Sequence, residues 1–91
     1  MADTEARHLL LYEYVPDIVE RRGPFQAKHL AAIRAGKDEG RIIMAGPLGD
    51  PPHGGAFLFA DAAAAEAFAQ ADPYVNNGLV PSWRVELWTL V

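Results

Sequence analysis

Two residues have side chains suited to moving a proton, and both fall on the inward side of a predicted helix. His29 lies within the apolar arc of the first long helix, with Phe25 and Ile33 one turn to either side. Asp72 ends a second helix on the stripe that carries Phe68, where its carboxylate meets the negative end of the helix dipole and calls for a cationic partner. If both helices cover one sheet face, His29 and Asp72 can meet. A carboxylate that fixes the tautomer of a histidine makes it a general base.

Each of these residues also has a purely structural interpretation. An inward histidine often only satisfies a hydrogen bond in the core, and an aspartate before a proline, as at Asp72-Pro73, often only caps a turn. Spacing alone leaves both interpretations open. His8, His29 and His53 lack metal-ligand spacing and the sequence has no cysteine, so we expect neither a metal site nor a cofactor.

The pair is positioned by strands and helices that the sequence predicts in the order β-α-β-β-α-β. Strands are predicted at 8–14, 41–45, 56–60 and 82–90. Helices are predicted at 24–39, after a short turn at 18–22, and at 62–71. Residues 1–7 are predicted to be frayed and 46–55 to form a long loop. This order is typical of a ferredoxin-like α+β fold, an antiparallel sheet with two helices on one face.

The predicted strands are apolar on both faces, although the chain's own helices can cover only one. The opposed sets are Leu9 and Leu11 against Leu10 and Tyr12, Phe57 and Phe59 against Leu58, and Trp83, Val85 and Leu87 against Trp88 and Leu90. A second apolar face has to be buried against something. We expect a homodimer through the sheet faces, related by a two-fold axis.

Composition narrows the class of function. The sequence has 91 residues, 51% hydrophobic and 22% charged, which predicts a single globular domain over 1–91. A net charge of −4 argues against a nucleic-acid partner, although RNA-recognition modules share the same element order. The sequence shows neither an apolar run long enough to span a membrane nor a signal-peptide pattern. We therefore expect no membrane partner, and a cytoplasmic location.

Three motifs, taken in order and spacing, resemble the YciI-like (YCII-related) family. They are Lys28-His29-Leu30, residues 38–47 (DEGRIIMAGP), and residues 67–75 (AFAQADPYV) followed by Gly78. The resemblance extends over nearly the whole chain, from the first strand to the last. It implies a ferredoxin-like fold assembled as a dimeric α+β barrel, and an active site of one histidine and one aspartate.

The histidine and aspartate of the family fall on His29 and Asp72. The resemblance further implies that Gly46, Pro47 and Tyr74 border the substrate pocket. Relatives often carry an arginine shortly before the histidine, whereas this chain has Gln26 three residues before His29 and Arg21-Arg22 further back. That departure leaves the charge of the substrate open.

Two functions fit the His-Asp pair and the resemblance. The first is a cofactor-independent enzyme in which His29 and Asp72 perform general acid/base chemistry, of lyase, isomerase or dehydrohalogenase type, on a small cyclic or enolisable substrate. The alternative is a small-ligand-binding or sensor module in which the same pair recognises a metabolite without turning it over. A purely structural interaction domain also stays open, and the sequence does not indicate a substrate.

Overall fold

A computed structural model of the chain describes residues 5–91. Its strands are β1 (Glu5–Glu13), β2 (Ile42–Leu48), β3 (Gly54–Phe59) and β4 (Ser82–Leu90), and its helices are α1 (Ile18–Arg21), α2 (Gly23–Asp38), α3 (Ala62–Ala71) and α4 (Pro73–Asn76). The strands form one antiparallel sheet in the order β2-β3-β1-β4. The predicted ferredoxin-like α+β fold is confirmed. Within residues 5–91, no helix is long and apolar enough to cross a membrane.

The helices pack on one side of the sheet, which we call the helix-covered face. Leu10 and Phe59 are fully buried there, and side chains from every strand and from α1, α3 and α4 surround them. Gly36 lets α2 approach the sheet closely, because a Cβ at that position would lie 2.5 Å from Cδ1 of Ile42. This close approach fixes the height of α2, and therefore of His29, above the sheet.

The other side of the sheet, which we call the open face, carries the outward side chains of the same strands. Leu9, Met44, Leu58 and Trp88 border a shallow depression there. Met44 is 61% exposed and Trp88 47%. The face is more mixed than the sequence analysis assumed, because Arg84 and Glu86 also point outward from β4 and form an ion pair of 2.6 Å.

The ends of β1 differ from the prediction. The strand begins at Glu5, which lies opposite Leu90 of β4, so residues 5–7 are paired instead of frayed. Residues 1–4, the rest of the segment predicted to fray, lie outside the described residues. At the other end β1 stops at Glu13, and Tyr14 follows the strand.

The predicted loop at 46–55 was too long. β2 continues to Leu48 and β3 begins at Gly54, because Pro47 pairs with Gly55 and Leu48 with Gly54. β2 is an edge strand, where the missing N–H of a proline is tolerated. A side chain at Gly54 would collide with the carbonyl oxygen of Tyr12, so glycine is required within the strand. Gly46 and Pro47 therefore belong to the sheet.

Candidate functional site

His29 and Asp72 are in direct contact beneath the helices. Nδ1 of His29 lies 3.0 Å from Oδ1 and 2.9 Å from Oδ2 of Asp72. His29 is 4% exposed and Asp72 1%. An ionised carboxylate can only accept hydrogen bonds, so the contact assigns the ring proton to Nδ1. Nε2 is then the nitrogen left to meet a bound molecule.

Asp72 is held by two further donors. The hydroxyl of Tyr12 donates to Oδ2 at 2.7 Å, and the backbone N–H of Tyr74 donates to Oδ1 at 3.0 Å. The second contact makes Asp72 the N-cap of α4, a short helix that the sequence analysis did not predict. Asp72 therefore both caps a turn and contacts His29. These donors offset the unfavourable position of its carboxylate at the end of α3.

Tyr12 stays a hydrogen-bond donor over the whole neutral range. Burial, followed by the nearby charge of Asp72, raises the pKa of Tyr12 far above the ordinary value of 10.0. A neutral phenol keeps its proton on the oxygen that faces Oδ2. The carboxylate is thus pinned from β1 on one side and from the start of α4 on the other.

Aromatic rings fix the plane of the imidazole. The ring of Tyr74 stacks on His29 with centroids 3.8 Å apart and planes 7° from parallel. The rings of Phe57 and Phe68 meet the imidazole edge to face, at 6.1 and 6.4 Å. With one face stacked and Nδ1 bonded, His29 has a single orientation.

A cavity of about 190 Å³ opens in front of His29. Its wall is formed by Tyr14, Ile18, Arg22, Gln26, His29, Leu30, Ile33, Ala45, Gly46, Pro47, Phe57 and Tyr74. A cavity of about 150 Å³ in another protein holds benzene, so this one has room for a molecule of one ring. The structure places Gly46, Pro47 and Tyr74 in this wall, and their part in binding stays a prediction.

Three polar residues of the cavity wall were not predicted as site residues, although Gln26 and Arg22 were noted in the comparison with the family. Arg22 and Gln26 reach the cavity from the start of α2, and their spacing with His29 and Ile33 (22, 26, 29, 33) places all four on one side of a helix. That periodicity was the available signal. Tyr14 had no such signal, because it lies in the connection after β1.

No group of three or more His, Asp or Glu side chains that could hold a metal ion occurs within residues 5–91. The polar groups that meet around the cavity are instead an imidazole, a guanidinium, an amide and phenols. These groups exchange protons and bind anions.

The sequence and the fold resemble those of known proteins. The chain is 35% identical over 74 residues to Protein YciI from Escherichia coli O6:H1, covering 69% of this chain and 76% of that protein, and matches Protein YciI from Shigella flexneri equally well. The structure resembles 5-chloro-2-hydroxyhydroquinone dehydrochlorinase from Burkholderia phenoliruptrix AC1100, solved with 2,5-dihydroxybenzoquinone, at a TM-score of 0.69 and 26% identity over 90% of this chain and 92% of that one.

A protein of unknown function from Nitrosomonas europaea shares the fold alone, at a TM-score of 0.57 and 23% identity, with 97% of this chain and 90% of that chain covered. Residues 6–89 match the YCII-related domain. That match takes in all four strands almost from end to end, together with both residues of the His-Asp pair. The chain therefore belongs to the YCII-related family.

Proposed function

We propose that the chain is a cofactor-independent enzyme in which His29, oriented by Asp72, takes a proton from a small cyclic or enolisable substrate. One observation carries this proposal. A buried imidazole has Nδ1 bonded to a buried carboxylate at 2.9 Å, while its ring borders a cavity the size of one ring. Such an arrangement supplies a general base in a fixed orientation.

The first step is proton transfer to Nε2 of His29. The electron pair of the broken bond moves into the substrate and forms an enolate. The imidazolium that results faces the carboxylate of Asp72, so the new positive charge is compensated within hydrogen-bond distance. Tyr12 and the amide of Tyr74 keep that carboxylate in place during the transfer.

The enolate then has two outcomes. In an elimination, its electron pair forms a double bond and expels a leaving group, such as chloride, which departs with its bonding pair. In an isomerisation, His29 returns the proton to a different atom. The likeness to a 5-chloro-2-hydroxyhydroquinone dehydrochlorinase supports elimination as the first reaction to test.

Chloride release from 5-chloro-2-hydroxyhydroquinone and related chlorinated ring diols tests the proposal. His29→Gln places a neutral amide at this position that cannot accept the proton, so we expect turnover to fall by at least about 100-fold. His53→Gln removes an exposed histidine in the loop after β2 and is the matched control, with unchanged turnover. Circular dichroism verifies that both variants fold.

A His29→Gln protein as active as the wild type would end the proposal. Saturable binding of these rings by the wild type without any product would instead indicate the small-ligand-binding or sensor module.

We further propose that two copies of the chain join through the open face. Met44 and Trp88 are exposed there beside the half-buried Leu9, and a two-fold pairing would withdraw these three side chains from water. Gly46 and Pro47 border both the depression on this face and the cavity in front of His29. A second copy on the open face would therefore brace one wall of the site.

A further inference from the structure

Arg22 lines the cavity without the carboxylate partner that four other arginines of the chain have. Arg7, Arg21, Arg41 and Arg84 each pair with an acidic side chain at 2.6–3.6 Å. Arg22 is half-buried in the cavity wall and has no carboxylate partner among residues 5–91. Asp72 does not border the cavity, so within the described part of the chain no acidic side chain faces this guanidinium across it.

The guanidinium lies close to two phenols of the same wall. Tyr14 and Tyr74 meet edge to face, with ring centroids 6.1 Å apart. Burial raises the pKa of both phenols, and the positive charge of Arg22 opposes that rise in each case. Arg22 and the neutral hydroxyl of Tyr14 therefore form a donor-rich part of a cavity whose other walls are largely apolar.

Helical geometry separates this cation from the proton acceptor. Arg22 is the N-cap of α2 and precedes His29 by seven positions, which is about 10 Å along a helix axis. A ring bound between them can offer a proton to His29 and a negative oxygen to Arg22. Gln26, which lies between the two in the wall, is neutral, so the cation of this wall is Arg22.

We propose that Arg22 is the anion-binding residue of the cavity, and that the substrate is a single-ring molecule with a negatively charged oxygen, either a carboxylate or an enolate. That the bound anion is a substrate rests on the proposed function. A half-buried guanidinium without a counter-charge binds anionic oxygens strongly and in a defined geometry. Proton removal by His29 adds electron density to the ring, which Arg22 stabilises in the transition state.

Isothermal titration calorimetry on the intact protein tests this assignment with benzoate against benzamide, two rings of equal size that differ in charge. The enolate of 1,3-cyclohexanedione, in buffer above its pKa, forms the second arm and separates enolate from carboxylate recognition. We expect the wild type to bind at least one of these anions more tightly than benzamide. Arg22→Gln should weaken the affinity for that anion by at least about tenfold and change the affinity for benzamide by no more than about twofold.

Arg21→Gln is the matched control, because Arg21 is exposed and paired with Asp17, and it should bind all probes as the wild type does. Arg22→Lys keeps the charge and should retain the preference for the anion, which covers the case that Arg22→Gln does not fold. His29→Gln should retain it as well. If Arg22→Gln loses anion binding while His29→Gln stays active, the role of Arg22 stands and only the general-base role of His29 is refuted. Unchanged anion binding in Arg22→Gln, or no anion binding by the wild type, overturns the role of Arg22.

Discussion

The two faces of the sheet are built from alternate residues of the same strands, yet they have different surroundings. Leu10 of β1 is fully buried under the helices, whereas its neighbour Leu9 points to the open face and is only half-buried. On the helix-covered face the polar groups are concentrated at one contact, His29 with Asp72. On the open face exposed apolar side chains lie beside a surface ion pair, Arg84 with Glu86.

The difference assigns separate tasks to the two faces. Among residues 5–91 every buried side-chain nitrogen and oxygen atom has a hydrogen-bond partner, so burial of the pair under the helices is compensated by hydrogen bonds. The open face lacks that cover, and its exposed ion pair contributes little to stability. Its apolar residues favour association with a second copy.

Removal of Asp72 should destabilise the fold and also take away the partner of His29. Asp72→Ala leaves Nδ1 of His29, the Tyr12 hydroxyl and the Tyr74 amide without their acceptor. We expect a loss of about 3 kcal/mol in the free energy of unfolding, measured by urea denaturation. Asp72→Asn keeps the shape of the side chain and should be more stable than Asp72→Ala. Its turnover should nevertheless fall by about 100-fold, because a neutral amide cannot stabilise the imidazolium. An Asp72→Asn protein with full turnover would contradict the assigned role.

Adjacent leucines of β1 compare the faces directly. Leu10→Ala opens a cavity in the core and should cost about 3 kcal/mol of stability. Leu9→Ala should cost about 1 kcal/mol or less in dilute protein, since that side chain is only half-buried within one chain. Urea denaturation of the two variants under one set of conditions measures the difference. Equal losses at low protein concentration would mean that the two faces are equally well covered.

Trp88→Glu is aimed at the open face. A charge on the proposed interface should weaken self-association by more than about tenfold, seen by sedimentation across a concentration series, while the far-ultraviolet circular dichroism stays unchanged. Ala31→Glu introduces the same single negative charge on the exposed side of α2 and should leave association intact. A wild type that sediments only as a 9.9 kDa species would refute the homodimer.

Tyr12→Phe should have the smallest effect. At neutral pH it loses one hydrogen bond to Asp72 and about 1 kcal/mol of stability. The pKa of Tyr12 is raised in the folded state, so above the ordinary value of 10.0 the unfolded chain releases this proton first, and wild-type stability falls as the pH rises.

Tyr12→Phe should reduce that alkaline slope by up to about 1.4 kcal/mol per pH unit. It should not abolish the slope, because Tyr14 and Tyr74 also have raised pKa values. Denaturation midpoints collected across the alkaline range measure both slopes. Parallel slopes in the two proteins would contradict the buried, neutral state of Tyr12.

Local patterns predicted most of the fold. The bounds of β4 and α3 were predicted correctly because clean alternation defines the strand, and Asp61 and Asp72-Pro73 mark the ends of the helix. The loop after β2 was predicted too long because its glycines and proline are typical of turns. Their place in β2 and β3 depends on pairing with each other and on the backbone of Tyr12, which is distant in sequence.

The candidate site was predictable only in part for the same reason. The helix faces and the family resemblance indicated His29 and Asp72, which the structure places in contact. The Tyr12 hydroxyl reaches Asp72 across 60 positions of sequence, and no local pattern reports such a contact. Arg22 has a helical spacing to His29, but charged residues on a helix usually face water, and only the folded cavity wall shows that Arg22 borders the site.

The protonation of the two imidazole nitrogens of His29 tests the central claim most directly. Nitrogen-15 chemical shifts of the ring, recorded where the imidazole is neutral, identify which nitrogen carries the proton. The contact with Asp72 predicts a proton on Nδ1 and an unprotonated Nε2 toward the cavity. A proton on Nε2, or the averaged shifts of a freely exchanging imidazole, would contradict a general base held by Asp72.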